Sequence, residues 1–352
     1  PRDAAARFGV GRVQGPGRGV RDARGRRARR QDHRPRGAAP VRRDKAGGHG
    51  LPGLAGRLTP PGRARLAPML APSGRLKGDL TVLNWGDQTW WIMGSYYLRN
   101  WHMRWFHDHR ATGVEVRDIS DAMYGFGITG PQSRDLLSAL MHQNIDTALP
   151  FMGCATVDVG LIRARVARLS VCGELGYEIN CGAVEHIALR DLLLAAGAEH
   201  NIKEFGFYAM NSLRLEKSFG VWSAEFTQDR TPGMTGMDRW IDWSRDNFIG
   251  HEAAAKERSI DSASQRLVTL EIDADDADAS GYEPIWQSDK RVGFVTSGGY
   301  GHHTAKRLAM GLLDSAIDEK NGPLMIDVVG NRRKARVLPE AVWDPKGIRM
   351  RQ

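Results

Sequence analysis

From residue 66 onward, apolar and polar positions recur at spacings that predict regular secondary structure. Apolar runs on either side of Pro-Ser-Gly turns or polar clusters predict strands, and residues 97–109 change to helical spacing with Tyr97, Trp101 and Trp105 on one aromatic face. The predicted strands lie in residues 66–87 (two around a Pro-Ser-Gly turn), 89–93, 121–128 and 156–179 (two). The predicted helices are 97–109, one that opens at Gly130-Pro131, 183–195 and 206–219.

The pattern changes after a polar helix at residues 251–258. Short strands separated by Gly- and Asp-rich turns are predicted at residues 265–272, 291–297, 307–314 and 332–338. Their spacing predicts a barrel or sandwich of roughly 90 residues. Because the first part lacks strict strand–helix–strand alternation, the fold class is α+β. We place the first domain at residues 56–260 and the barrel at 265–352.

Residues 1–55 differ in composition from the rest of the 352-residue chain. The first 50 residues carry a net charge of +11, whereas the other 302 carry −2, and of 27 aromatic residues only Phe8 precedes Trp85. An Arg-, Gly- and Pro-rich segment of this kind buries too little apolar surface to offset the entropy of ordering it. We expect a disordered arm and favour a mistranslated extension over a nucleic-acid-binding segment, because no stacking aromatics or recognition fold accompany it.

Several kinds of chemistry are excluded by the residues themselves. The chain has neither GxSxG nor HExxH, and its glycine-rich stretch at 296–306 lacks the adjacent Gly-Lys-Ser/Thr of a phosphate loop, so it predicts a turn between barrel strands. The three cysteines (Cys154, Cys172, Cys181) include no CxxC pair, which excludes a disulfide scaffold or a thiolate zinc site and favours a reducing compartment, the cytoplasm. No apolar run is long enough to span a membrane.

The only histidine cluster on a predicted regular element is His102, His107 and His109. His107 and His109 are two residues apart and lie on different helix faces, so the three do not converge readily on a metal, and we predict no metal site. His102 alone is the better candidate for proton transfer in a cleft, because the free pKa of imidazole lies near neutrality.

Four motifs, in order, resemble the aminomethyltransferase family that includes the glycine-cleavage T protein. They are GELGYEI at 173–179, NSLRLEK at 211–217, NFIG at 247–250 and VTSGGYGHHTAK at 295–306. The closest resemblance is to the folate-binding C-terminal half of dimethylglycine and sarcosine dehydrogenases. It extends over about residues 66–352 and implies a multi-lobed tetrahydrofolate-binding domain around a central hole, followed by a C-terminal β-barrel.

The resemblance also implies site residues. Glu178 stands where the family has a carboxylate that binds the pterin, and a carboxylate can accept two parallel hydrogen bonds from a pterin edge. Trp222 occupies the place of an aromatic near the cofactor, and Met69 that of a pocket-lining residue, although core packing would explain either. Arg214 can pair with Glu216 or with a folate carboxylate, and the sequence does not separate the two.

The sequence departs from the family at several of these positions. His102 stands where aminomethyltransferases have a catalytic aspartate, and Ser95 where they have an asparagine. A neutral imidazole can relay a proton but offers no permanent negative charge to an iminium. The family's opening strand and helix have no evident counterpart in residues 1–60. The folate site is therefore better supported than the chemistry.

The resemblance implies capture of a one-carbon unit from a dimethylglycine- or sarcosine-like N-methyl amine as 5,10-methylenetetrahydrofolate. FAD is implied only if a flavin domain lies upstream, and a flavin-containing oxidase domain or subunit is the implied partner besides the small-molecule donor. Two alternatives stay open: a folate-dependent S- or O-demethylase, and a non-catalytic folate-binding accessory protein. The latter is weakened because residues 217–225 lack the cysteine of the family's iron–sulfur repair members.

Overall fold

The computed structural model describes residues 54–56, 59–86, 88–260 and 263–352, together with the backbone of residues 8–12. The β-strands in these parts are β1 (Phe8–Arg12), β2 (Arg63–Leu70), β3 (Leu76–Asn84), β4 (Trp90–Met93), β5 (Met123–Thr129), β6 (Cys154–Val159), β7 (Ile162–Ala167), β8 (Gly176–Gly182), β9 (Ile202–Glu204), β10 (Gln265–Ile272), β11 (Pro284–Gln287), β12 (Lys290–Gly301), β13 (Lys306–Asp314), β14 (Leu324–Val328) and β15 (Asn331–Leu338). The α-helices are α1 (Arg99–His109), α2 (Ser133–Leu140), α3 (Ile145–Ala148), α4 (His186–Ala196), α5 (Phe207–Glu216), α6 (Pro232–Thr235) and α7 (His251–Ser259).

A six-stranded sheet forms the centre of the first part of the fold. Its strand order is β6-β7-β8-β5-β1-β9, antiparallel except for the parallel pair β1 and β9. The region from Thr156 to Ile179, where the sequence predicts two strands, forms three, because Gly160 takes a positive φ of 58° and lets the chain turn between β6 and β7.

One face of this sheet is the main hydrophobic core. Alternate residues of β5 and β8, among them Phe126, Ile128, Tyr177 and Ile179, pack against α2 and α4. The helix predicted after Gly130-Pro131 is confirmed as α2, and its Leu136 and Leu137 are buried as expected. The side chains on the opposite face of β5 and β8 are therefore not part of this core and can contact other elements or a ligand.

A smaller sheet of β2, β3 and β4 faces that opposite side. The predicted hairpin is confirmed, and its turn places Gly74 at a φ of 76°. The predicted helix after it is α1, but its buried face is wrong by one residue: His102 and Phe106 are buried, whereas Tyr97 is exposed.

Two aromatic rings of α1, those of Trp101 and Trp105, contact a cation, and Trp105 also packs against the core cluster that contains Met69 and Phe106. The Lys77 ammonium lies 3.8 Å from the ring centre of Trp101 and 4.3 Å from that of Trp105. Cation–π contacts form readily at partly exposed positions. The helical spacing of Trp101 and Trp105 therefore did not require that both rings be fully buried.

The C-terminal part is a closed barrel with strand order β10-β13-β12-β11-β14-β15, and β10 pairs with β15 to close it. The four predicted strands are present. The short strands β11 and β14 were missed, because one begins at a proline and both have only four or five residues. The glycine-rich stretch is only in part the predicted turn, because residues 296–301 extend β12 and pair with β13, and the turn itself is confined to residues 302–305.

The prediction of a disordered arm over residues 1–55 is wrong for Phe8–Arg12. These residues form β1, which pairs antiparallel with β5 and parallel with β9. The alternation of Phe-Gly-Val-Gly-Arg suits a strand, and β1 fills a position between two strands whose edges would otherwise lack partners. Residues 54–56, at the end of the predicted arm, are also described, and the rest of the arm lies outside the described residues. Within the parts that are described, no helix is both long and apolar enough to cross a membrane.

Candidate functional site

A cavity lies between the small sheet with α1 and the free face of the six-stranded sheet. Its volume is about 140 Å³, and its mouth is open to solvent. The lining combines aromatic and aliphatic side chains with a few polar ones. It includes Leu80, Trp90, Trp91, Met93, Gly94, Tyr96, Arg99, His102, Phe106, Asp118, Met123, Gly125 and Asn180.

Glu178 lies on the free face of β8, two residues before Asn180 and on the same side of the strand. The residue as a whole is partly accessible, but its carboxyl oxygen Oε2 is buried and has no hydrogen-bond partner among the described residues. Burial raises the pKa of Glu178 to about 7. A buried carboxyl group without a partner is costly, so its presence at this place points to a ligand with hydrogen-bond donors.

The residues beside Glu178 on the neighbouring strands are small. Its cross-strand partners are Gly127 on β5 and Ala167 on β7, and Asn180 stands opposite Gly125. A side chain at Gly125 would meet the Asn180 Oδ1 at 2.5 Å, so the glycine is required there. Small residues on both sides of Glu178 therefore form a trough in the sheet, and Ala167 among them is buried in a cluster with Leu83 and Trp91.

His102 lies in a slot made by two glycines on the other wall of the cavity. Its Nε2 donates a hydrogen bond to the Lys77 carbonyl at 2.8 Å, because the carbonyl can only accept. A side chain at Gly78 would come within 3.1 Å of Nε2, and one at Gly94 within 3.5 Å of Nδ1. Burial lowers the pKa of His102, so the ring is neutral at pH 7 with its lone pair on Nδ1, beside the cavity-lining Gly94.

Trp222 and Asp79 lie behind His102. The Trp222 ring centre is 6.4 Å from that of His102 and 6.4 Å from that of Trp101. Asp79 follows Gly78 in β3, and burial raises its pKa to about 7, although hydrogen bonds from its own backbone and that of Trp222 act in the opposite direction. The sequence analysis did not single out Asp79.

Of the predicted site residues only His102 lines the cavity, whereas Glu178 and Trp222 lie next to lining residues and two others lie farther from it. Met69 is fully buried in a cluster with Leu80 and Phe106, beneath the cavity rather than on it. Arg214 is buried as well, and its predicted pairing with Glu216 does not form: its Nη1 donates to Glu225 at 3.1 Å. The folate-binding roles given to Met69 and Arg214 stay predictions.

Neither Asn180 nor Asp79 is among the site residues predicted from the sequence. Strand alternation from Glu178 identifies Asn180 as the next residue on the same face, so this residue was accessible to sequence reasoning. Asp79 had no such signal, because an aspartate in a strand beside a turn is ordinarily solvated.

The raised pKa values predict an unusual dependence of stability on pH. The folded chain holds the protons of Glu178 and Asp79 up to about pH 7, whereas the unfolded chain releases them near their ordinary values of 4.5 and 3.8. Their contribution to the free energy of unfolding should therefore fall as the pH rises toward 7, by roughly 2–4 kcal/mol for each group.

Urea unfolding of Asp79→Asn at pH 5, 6, 7 and 8 checks this. The variant should lose stability less steeply than the parent as the pH rises, because asparagine does not ionise. The exposed Asp158→Asn should follow the parent at every pH. Parallel curves for Asp79→Asn and the parent would contradict the prediction.

With this geometry in view, comparison with known proteins identifies the family. The family model for the GCVT N-terminal domain matches residues 54–245, and that for the glycine cleavage T-protein C-terminal barrel domain matches residues 265–344. The chain belongs to this aminomethyltransferase family.

Among curated relatives, human mitochondrial dimethylglycine dehydrogenase is 31% identical over 284 residues, which cover 79% of this chain and 33% of that protein. The chain thus spans about a third of the length of the curated relatives that it matches first. Aminomethyltransferase from Bacillus subtilis is 25% identical over 278 residues, 79% of this chain and 76% of that protein. The crystal structure of the glycine cleavage system aminomethyltransferase T from Bartonella henselae shares the fold, with a TM-score of 0.73, 19% identity and coverage of 83% and 80% of the two chains.

Proposed function

We propose that this chain binds tetrahydrofolate at the cavity between the two sheets, beside Asn180 and Glu178, and transfers a one-carbon unit to it. The observation that carries the proposal is the buried, unpartnered Oε2 of Glu178 above a trough of small residues. The family assignment and the neutral imidazole on the facing wall support it.

Glu178 would hold the pterin ring. When ionised, its carboxylate accepts two parallel hydrogen bonds from the ring N–H and the adjacent amino group, which satisfies the buried oxygen and fixes the ring in its plane. Asn180 is placed to bond to the same ring from the next position on the strand. Bound folate supplies a nucleophilic amine at this place.

His102 would move the proton. Because the Lys77 carbonyl holds the proton on Nε2, Nδ1 is the atom that can accept a proton from an amine as it attacks the one-carbon unit. A neutral imidazole performs this role without the negative charge of the family's aspartate. Trp222 and the apolar lining would exclude water, so that positioning supplies most of the rate.

The donor that we propose is an N-methyl amine of the dimethylglycine or sarcosine class. Support comes from relatives named dimethylglycine dehydrogenase, which match at higher identity than those named aminomethyltransferase. A flavoprotein domain or subunit carrying FAD would oxidise the amine and is the proposed partner. We place the protein in a reducing compartment such as the cytoplasm on the grounds of its free cysteines.

The reaction product separates this function from its main alternative. The protein is incubated with tetrahydrofolate and ¹³C-formaldehyde, which is already at the oxidation level of the methylene product, or with ¹³C-methyl donors on sulfur or oxygen, and the folate product is identified by NMR. Enzyme-dependent methylenetetrahydrofolate above the spontaneous rate supports the proposal. Formation of 5-methyltetrahydrofolate from a sulfur or oxygen donor would instead make the protein a demethylase, and folate binding without turnover an accessory protein.

The proton-transfer role predicts a split between turnover and binding. His102→Gln should lower kcat roughly 100- to 1000-fold, because general-base catalysis is lost while the side chain still fills the slot. Affinity for folinic acid should change little, since Glu178 is untouched. His107→Gln, an exposed position on the same helix, serves as the control. An unchanged kcat in His102→Gln would remove His102 from the mechanism.

A further inference from the structure

The first domain and the barrel meet at a buried carboxylate, that of Glu225. Its side chain is completely buried and its two oxygens accept four hydrogen bonds. Oε2 accepts from the backbone N–H of Val221 at 2.9 Å and from the guanidinium of Arg214 at 3.1 Å. Oε1 accepts from the hydroxyl groups of Thr296 at 2.7 Å and Ser297 at 2.5 Å, both on β12 of the barrel.

These bonds close a tight loop that carries Trp222 at its tip. We call residues 219–226 the Trp222 loop. The Val221 carbonyl accepts from the backbone N–H groups of Glu225 and Phe226, and Ser223 takes a φ of 73°. With the Glu225 carboxylate bound to the Val221 N–H, the loop is tied at both ends. Its conformation therefore depends on where the carboxylate is held.

Barrel groups contribute both hydroxyl donors to that carboxylate. Arg214 also reaches the barrel, since its Nη1 lies 3.4 Å from the sulfur of Met310 on β13, and it donates to the Phe219 carbonyl at the start of the Trp222 loop. On its other side the loop presents the Trp222 ring to His102, with 6.4 Å between the two ring centres. The barrel is thus connected to the wall behind His102 through one residue.

We propose that Glu225 is a positioning residue through which the barrel holds Trp222 against His102, an inference that rests on the function proposed for that cavity. The four-bonded carboxylate fixes the Trp222 loop, the loop fixes the ring, and the ring keeps water from the buried imidazole. The barrel then acts on the site without contributing a residue that touches the folate. A fully bonded buried carboxylate is rigid, which is what positioning at sub-ångström precision requires.

The test removes the barrel's donors and leaves Glu225 in place. Thr296→Val and Ser297→Ala, singly and together, each delete one hydroxyl that bonds to Glu225. Ser212→Ala is the matched control, because it also deletes a buried hydroxyl between the first domain and the barrel, one that bonds to the Tyr300 carbonyl at 2.7 Å and not to the Trp222 loop. Thermal unfolding gives the stability of each variant, and all other measurements are made well below the melting temperature.

Two NMR measurements report on position rather than stability. In protein labelled with 5-fluorotryptophan, the ¹⁹F resonance of Trp222, assigned with Trp222→Phe, should shift or broaden in the double variant. The imidazole titration of His102, assigned with His102→Gln, should move up toward the ordinary pKa, because water reaches the ring once the loop is loosened. Each single variant should give a smaller change in the same direction.

Turnover and folinic acid binding complete the test. The double variant should lose kcat roughly 10- to 100-fold and Ser212→Ala should not, since small displacements of a catalytic group are costly. An unchanged Trp222 resonance and an unchanged His102 titration in the double variant, with a loss of stability equal to that of Ser212→Ala, would overturn the proposal. Failure of the parent protein to bind folinic acid would instead overturn the proposed function, and the two NMR measurements would still decide the role of Glu225.

Discussion

Replacing Glu178 by glutamine should weaken the binding of folinic acid about 100-fold. Two charge-assisted hydrogen bonds to the pterin edge are lost, each worth about 1.5–3 kcal/mol, and the glutamine amide returns only part of this because its NH₂ group faces donors on the ligand. The net loss of about 2.7 kcal/mol corresponds to two powers of ten in the dissociation constant. Isothermal titration measures it.

The same titration distinguishes a specific contact from a general effect of charge. Glu174→Gln makes the same chemical change at a partly buried glutamate, whose carboxylate accepts from the Trp343 indole at 3.0 Å, away from the trough. Its affinity for folinic acid should equal that of the parent protein. Equal affinities for Glu178→Gln and the parent would contradict the proposed pterin site.

Removing Glu225 should cost more stability than any other single change considered for this chain. In Glu225→Ala the Arg214 guanidinium stays buried without its counter-ion, and two barrel hydroxyls lose their acceptor. Loss of one partner of a buried ion pair typically destabilises by about 3–5 kcal/mol. Urea unfolding followed by circular dichroism would show the midpoint falling accordingly.

An exposed ion pair provides the contrast. Glu204 bonds to Arg190 at 2.7 Å, a shorter distance than that between Arg214 and Glu225. Solvent screens the exposed pair, so Glu204→Ala should leave the midpoint within experimental error of the parent's. The burial of the ion pair, and not the distance between its charged atoms, decides how much stability is lost when one partner is removed. Similar losses for the two variants would contradict this account of the interface.

Much of the fold was accessible from the sequence, because periodicity and turn residues act locally. The hairpin of β2 and β3, helix α1 and the long barrel strands follow from alternation, helical spacing and Gly-containing turns. The strand at Phe8–Arg12 was not predicted, because five residues add little apolar surface to a segment that is rich in Arg and Gly. Its partners on the sheet, which are distant in sequence, are what make it a strand.

The candidate site was likewise predicted from the sequence only where local patterns mark its residues. The motif around Glu178 marks an acidic residue on a strand, and the alternation there extends to Asn180. The partner of Arg214 could not be predicted, because Glu225 comes to it through a loop and is held by two barrel hydroxyls from residues 71 and 72 positions farther along the chain. The raised pKa of Asp79 depends on the burial of its carboxyl group in the folded chain, which no local pattern encodes.

A crystal structure of the protein with folinic acid tests the central claim most directly. We expect the pterin to lie beside Gly127 and Asn180, with its ring N–H and amino group within hydrogen-bond distance of the Glu178 carboxylate and the His102 Nδ1 facing the reactive nitrogens. Folinic acid bound elsewhere, with the Glu178 oxygen still unpartnered, would contradict the account.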